Sequence, residues 1–185
     1  MKGFAFIVLI IISTNYFRPK EKESINYDEN RQLTWSDYQA RPNKASSFKG
    51  LTATVVSFSA KSDGKTLQLT LQNTFEPHNS WNKTAENVAL LEHERLHFHL
   101  SELYARKLRK EILETKFKSS GQKLMNDIGK LYEKKMQELT VVQRKYDKET
   151  DHSINQKEQK EWGIKIKTQL AELRKYSVAE ITIEL

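Results

Sequence analysis

The chain predicts an α+β fold in which a small antiparallel β-sheet precedes three long α-helices. Three observations carry this. Leu67, Leu69 and Leu71 alternate with Gln68, Thr70 and Gln72, the period of a half-buried strand. A second strand-like run, rich in Thr, Val, Ser and Phe, lies just before it across the turn sequence Lys61-Ser62-Asp63-Gly64. From about Thr84 to about Tyr176 the apolar residues instead recur at intervals of three and four, interrupted by two polar junctions. A length of 185 residues suits one domain with a sizeable core.

The elements follow in order. Residues 1–17 read as a signal peptide or N-terminal anchor: Lys2 supplies the positive end, and Phe4 through Ile12 are nine unbroken apolar residues. A helix that spans a bilayer needs about 20. Ser13-Thr14-Asn15 is a weak cleavage signal, so an uncleaved anchor at the membrane is the alternative. Either way the chain is expected to be exported, to the periplasm or beyond the cell. Residues 18–32 are charged and polar, with Pro19 near their start, and read as a linker. A single domain over 33–185 follows. Leu33-Thr34-Trp35-Ser36-Asp37-Tyr38 suggests a short strand or an ordered arm with two aromatic anchors, ended by Arg41-Pro42-Asn43. Leu51 to Ala60 and Lys65 to Phe75 form the predicted hairpin, and Glu76 to Trp81 the loop after it.

A long helix runs from about Thr84 to about Phe117. A second spans about Ser119 to Tyr146, with Leu124, Ile128, Leu131, Leu139 and Val142 on its apolar stripe. A third spans about Ser153 to Tyr176, with Trp162, Ile166, Leu170 and Leu173 on one face, and Ser153 with Gln156 reads as its capping box. Ile181 to Leu185 suggests a final short strand.

The formal net charge is +7, and mean hydropathy is −0.72. Lys and Arg alternate with Glu along the helices, as solvated faces laced with i,i+4 pairs would have it. No aromatic residues interleave with a basic patch, so a nucleic-acid partner is not expected. With no Cys, a disulfide framework and a lipidated cysteine are both excluded, and metal ligands must come from His, Asp or Glu.

His93-Glu94-Arg95-Leu96-His97 is where chemistry enters. On a helix, positions i and i+4 stand one above the other, so both imidazoles can reach one metal ion. Glu94 lies about 100° around the helix from His93, beside such a metal and not on it, where a general base belongs. Near the direction of His93 lie Leu90, Leu96, His97, Leu100, Leu103 and Leu108, so both histidines fall in an inward, apolar stripe. The pattern is that of a zincin-like metal helix, with Zn²⁺ as the expected cofactor.

A catalytic zinc takes three protein ligands and leaves a position open. A third His six residues after the second is absent, since that position is Leu103, and the Gly that such a motif needs is Leu100. His99 and Glu102 face away around the helix. The completing ligand is therefore sought at His152, in the junction Tyr146 to Ser153 between the last two helices. His78, Asp147, Glu149 and Asp151 are the alternatives, and the three acids can otherwise orient an imidazole from behind. Tyr146 has a hydroxyl suited to an oxyanion, though a buried structural role is the simpler expectation.

At four blocks the chain resembles a family of bacterial proteins of unknown function predicted to be secreted zinc-dependent proteases. The blocks are Leu33 to Tyr38, Ser80-Trp81, Leu90 to Phe98, and Tyr146-Asp147 through His152 with Trp162. The family has Gln-Gly where this chain has Arg95-Leu96, often Asp at His99, and Gly at Ser153. The resemblance implies a metalloprotease acting on a peptide or protein. The residues then read as an exported zinc metallopeptidase, with His93, His97 and His152 as metal ligands and Glu94 as general base. A non-catalytic envelope protein with a structural zinc, and a basic module binding a membrane surface, are the rival readings.

Overall fold

The computed structural model describes residues 24–84 and 87–185, so the expected signal segment lies outside the described residues. The fold is the α+β arrangement expected, small antiparallel sheets followed by three helices. At its centre β3 (Thr54–Ser62) and β4 (Thr66–Phe75) pair antiparallel, with Ser62 opposite Leu67 at the turn and Thr54 opposite Phe75 at the far end. Asp63 closes the turn by accepting from the amides of Lys65 and Thr66, at 2.9 and 2.7 Å. Gly64 supplies the left-handed conformation there, at φ 87°. The other edge of β4 is shared end to end by β1 (Ile25–Asn26) and the C-terminal β6 (Glu180–Glu184).

Two elements depart from the expected pattern. The strand expected over 51–60 is split. β2 (Gly50–Leu51) leaves the main sheet to pair with β5 (Trp81–Asn82), and the chain changes partners at Thr52-Ala53. There Ala53 donates to Ser80 Oγ at 3.0 Å and accepts from the Glu76 amide at 2.9 Å. The segment expected to be a linker, in turn, is partly built into the domain. It contains β1, the Tyr27 hydroxyl lies 2.8 Å from His99 Nδ1, and Glu29 meets Arg106 at 2.5 Å. The Leu33–Tyr38 arm forms a 3-10 turn over Trp35–Asp37, with Leu33 and Tyr38 buried against Phe75 and Phe98.

The three helices are α1 (Val88–Glu114), α2 (Gly121–Thr150) and α3 (Gln156–Glu172). α1 is the hub. Its Ala105, Leu108 and Ile112 pack on Val56, Leu67, Leu69 and Leu71 of the sheet and on Leu124, Ile128 and Met136 of α2. One end carries Leu96, Leu100 and Leu103 into a second core with Tyr146, Trp162, Ile166 and Leu170. Phe98 faces the N-terminal arm. Polar residues on the buried faces of such a helix must be satisfied within the protein. Accordingly Glu102 accepts from Arg106 and Arg109, at 3.0 and 2.9 Å, and Arg109 also donates to the carbonyl oxygens of Leu71 and Tyr176. Among the described residues no helix is long and apolar enough to cross a membrane.

α2 ends one turn later than its apolar stripe suggests, at Thr150 and not Tyr146. Asp151, His152 and Ser153 follow with φ of 46°, 50° and 82°, three consecutive non-glycine residues in the left-handed region. The N-cap of α3 is Asn155, whose side chain accepts from the Glu158 amide at 3.3 Å. Ser153 therefore does not form the expected capping box. Its φ is one that glycine adopts freely and other residues adopt at a cost of about 1 kcal/mol. Ser153→Gly is expected to raise thermal stability by roughly 2–4 °C. A melt of the variant checks this, and a lowered midpoint would show that the turn is not strained.

Candidate metal centre

One turn of α1 and the last turn of α2 build the site. His93 and His97 share a face of α1, with their Nε2 atoms 3.1 Å apart. Asp147 reaches in from α2, placing Oδ1 3.2 Å from His93 Nε2 and 2.9 Å from His97 Nε2. These three residues form a group able to hold a metal ion. A tetrahedral site with bonds of about 2.0 Å has ligand-to-ligand edges of about 3.3 Å. The three observed separations are of that size.

The atoms behind the ligands fix which nitrogen is free. Gln143 of α2 donates from Nε2 to the His97 carbonyl at 3.2 Å, which turns its Oε1 onto His97 Nδ1. Gln159 of α3 presents Oε1 to His93 Nδ1 at 3.1 Å and accepts there from the Tyr146 hydroxyl at 2.9 Å. Each Nδ1 thus donates its proton to an amide oxygen. Each Nε2 is thereby the nitrogen turned toward Asp147, the orientation that metal-binding imidazoles take. Tyr146 also stacks on the His93 ring, with centroids 4.6 Å apart. It is fully buried and its hydroxyl is committed to Gln159, so it supports the centre from behind.

Electrostatics agree with a cation there. Burial opposes charge on His97, but the hydrogen bond and the charge of Asp147 outweigh it and push its pKa up to about 9. Burial dominates at His93 and lowers its pKa, holding that ring neutral. Asp147 is held well below the usual carboxylate range: burial opposes this, and both imidazoles override it. The metal-free centre therefore keeps one proton where a metal would stand.

Glu94 leaves α1 in a different direction, toward β2. Its Oε2 accepts from Thr52 Oγ1 at 2.6 Å, and the carboxylate lies so close to Gly50 that a Cβ there would collide with it. Glu94 is buried, stands outside the ligand group, and its charge raises the basicity of both imidazoles.

The expected third ligand is close but outside the group. His152 sits on the left-handed turn, about half exposed, with Nδ1 3.8 Å from Asp147 Oδ1 and its ring edge-on to Phe48. His78 lies in the 3-10 turn Pro77–Asn79, also outside the group. Glu149 accepts from Trp162 Nε1 at 2.9 Å, facing α3, and Asp151 is an exposed cap. His99 is turned toward Tyr27, and burial lowers its pKa to about 4.

A family described as "Bacterial protein of unknown function (DUF922)" matches residues 30–153. The chain belongs to this family. The DUF922 region holds Thr52, His93, Glu94, His97, Gln143, Tyr146 and Asp147, and leaves out Gln159. No curated protein and no solved structure matches the chain. Sequence reasoning passed over three contributors to this candidate centre: Gln143, Gln159 and Thr52. Gln143 carried a signal, because it lies four residues before Asp147 and three before Tyr146, a polar residue on the buried stripe of a helix.

Proposed function

We propose that this chain is an exported zinc metallopeptidase, with His93, His97 and Asp147 as the metal ligands and Glu94 as the general base. The observation that carries the reading is the convergence of two imidazole nitrogens and one carboxylate oxygen, within 3.2 Å of one another, beside a buried carboxylate that does not join them. Two nitrogens and one oxygen suit zinc, and three protein ligands leave a position open for catalysis. Bound zinc supplies Lewis acidity, bringing the pKa of water toward 7 and polarising a carbonyl oxygen. The chain's own residues do the rest. Gln143 and Gln159 hold the imidazoles in one tautomer, Asp147 adds the negative charge that favours a dication, and Glu94 takes the proton from the attacking water and delivers it to the leaving amine. β2 runs beside Glu94, where an extended peptide can lie along a strand. The apolar run Phe4 to Ile12 is the basis for export.

One observation favours a second reading. His152 Nδ1 stands 3.8 Å from Asp147 Oδ1, close enough that a small movement of its turn would make it a fourth ligand. A closed four-ligand site is the mark of a structural zinc. Casein hydrolysis by the zinc-loaded, full-length chain separates the two. Activity lost on chelation and restored by zinc supports the peptidase. Tight zinc with no hydrolysis of casein or of a mixed peptide library supports the structural site.

A further inference from the structure

The Leu33–Tyr38 arm packs in a core of its own with Phe75 and Phe98, separate from the cores that hold α2 and α3, and nothing in the metal centre explains it. Its last residue does have a route to the site. The Tyr38 hydroxyl is 2.9 Å from Thr52 Oγ1, and Thr52 Oγ1 is 2.6 Å from Glu94 Oε2. We infer that Tyr38 and Thr52 form a directed hydrogen-bond support that fixes the Glu94 carboxylate, with Thr52 as the positioning residue of the general base. This rests on the peptidase reading for Glu94.

Proton counting sets the direction. A threonine hydroxyl has one hydrogen. The 2.6 Å contact is the short, charge-assisted kind that a carboxylate acceptor makes, so that hydrogen points at Glu94. The Tyr38 hydroxyl must then donate to Thr52 Oγ1. Burial, followed by the Glu94 charge, raises the pKa of Tyr38, which keeps it a donor. The chain runs Tyr38 O–H to Thr52 O–H to Glu94 Oε2, while Oε1 lies against Gly50.

Each member of the chain is held in turn. Tyr38 packs edge-on against Trp35 and Phe75, with centroids 4.9 and 5.0 Å away. Thr52 occupies the break between β2 and β3, where the next residue is pinned by Ser80 and by the Glu76 amide. Two residues earlier, Gly50 has no Cβ to push the carboxylate aside. The arm, the strand break and the glycine are three features of the sequence without another joint explanation. All of them end on Glu94, and a carboxylate so restrained cannot swing onto the metal or rotate away from the attacking water.

Thr52→Val removes the donor and keeps the shape. In the full-length, zinc-loaded protein acting on casein peptides it is expected to lower kcat roughly tenfold or more, out of the 10²–10⁴ that a general base contributes. KM and zinc content should stay near wild type. Thr52→Ser restores the hydroxyl and should recover most of kcat, and Tyr38→Phe should cost a few-fold. Unchanged kcat in Thr52→Val overturns the inference, and so does a Thr52→Ser as impaired as Thr52→Val. If Thr52→Val does not fold, Tyr38→Phe, which retains the packed ring, carries the same test. Absent hydrolysis by the wild type sinks the peptidase reading alone. The support is then judged from crystal structures: the Glu94 carboxylate should be displaced in Thr52→Val and in place in Thr52→Ser, and an undisplaced carboxylate in Thr52→Val overturns it.

Discussion

Asp147→Ala is expected to weaken zinc binding by more than 100-fold, while His152→Ala leaves it within about tenfold of wild type. A group that only orients a ligand is worth roughly 10–100-fold in metal affinity, and a ligand is worth more. Asp147 Oδ1 touches both Nε2 atoms, whereas His152 Nδ1 stands 3.8 Å from Asp147 Oδ1 and its ring lies edge-on to His93 and Phe48. The substitution also removes the only carboxylate in the ligand group, leaving two neutral nitrogens to hold a dication. Proton competition gives the same experiment a second readout. His97 carries a proton below about 9, so zinc must displace it, and affinity should fall close to tenfold for each pH unit below that value. Without Asp147 the group that raises the His97 pKa is gone, and the onset of this dependence should move to lower pH. Stability of the metal-free protein follows from the same pair. The raised His97 pKa stabilises fully below 6.5 and is lost as pH rises through about 9. The depressed Asp147 pKa stabilises above 3.8 and is lost as pH falls. The pair therefore contributes most between those ordinary values. Titration against a chelating fluorophore, from pH 6 to 9, measures the affinities, and thermal melts of the chelator-treated protein from pH 3 to 9 measure the stability. Equal losses in the two variants would make His152 a ligand, and tight zinc in Asp147→Ala would move the centre elsewhere.

The helix that carries the candidate metal centre was legible in the sequence because its information is local. His93 and His97 need only the helical period to meet, and the apolar residues around them say which way they point. The hairpin was legible for the same reason, since alternation and a turn signal both lie within about 20 residues. What was not legible depends on where a helix stops. The apolar stripe of α2 ends near Val142 and Tyr146, so the residues beyond look like a loop, and in a loop a histidine is the better candidate ligand. The helix instead continues to Thr150 because its inward face continues in polar residues: Gln143, Asp147 and Thr150 take up partners around His93 and His97. That last turn sets Asp147 at a fixed distance from α1 and leaves His152 past the cap, in the left-handed turn. Gln159 and Thr52 were invisible for a different reason. Each meets its partner across more than 40 residues, and no local period encodes such a contact. The departures from the family pattern are accommodated locally. Arg95 donates from Nε to the Leu33 carbonyl at 2.6 Å, and Leu96 packs in the core that holds Trp162.

Glu94→Gln is expected to keep zinc at wild-type affinity and to lose hydrolysis by roughly 10²–10⁴-fold in kcat. Zinc is retained because Glu94 is not among the ligand atoms. The loss comes from basicity alone, because the amide fills the same volume. Its Oε1 can still accept from Thr52, and its nitrogen falls in the space that Gly50 leaves open. Glu94→Asp separates chemistry from reach. It preserves the acid but withdraws it by one methylene from Thr52, so kcat should fall less than in the Gln variant while KM is unchanged. A structural zinc site predicts the opposite for all three proteins: equal metal, equal stability and no hydrolysis to lose. Zinc-loaded Glu94→Gln that retains wild-type kcat would remove Glu94 from the mechanism. Loss of zinc in that variant would place its carboxylate on the metal, and the base would then have to be sought elsewhere. The Gln variant thus decides between a carboxylate that moves protons and one that merely completes a buried polar network.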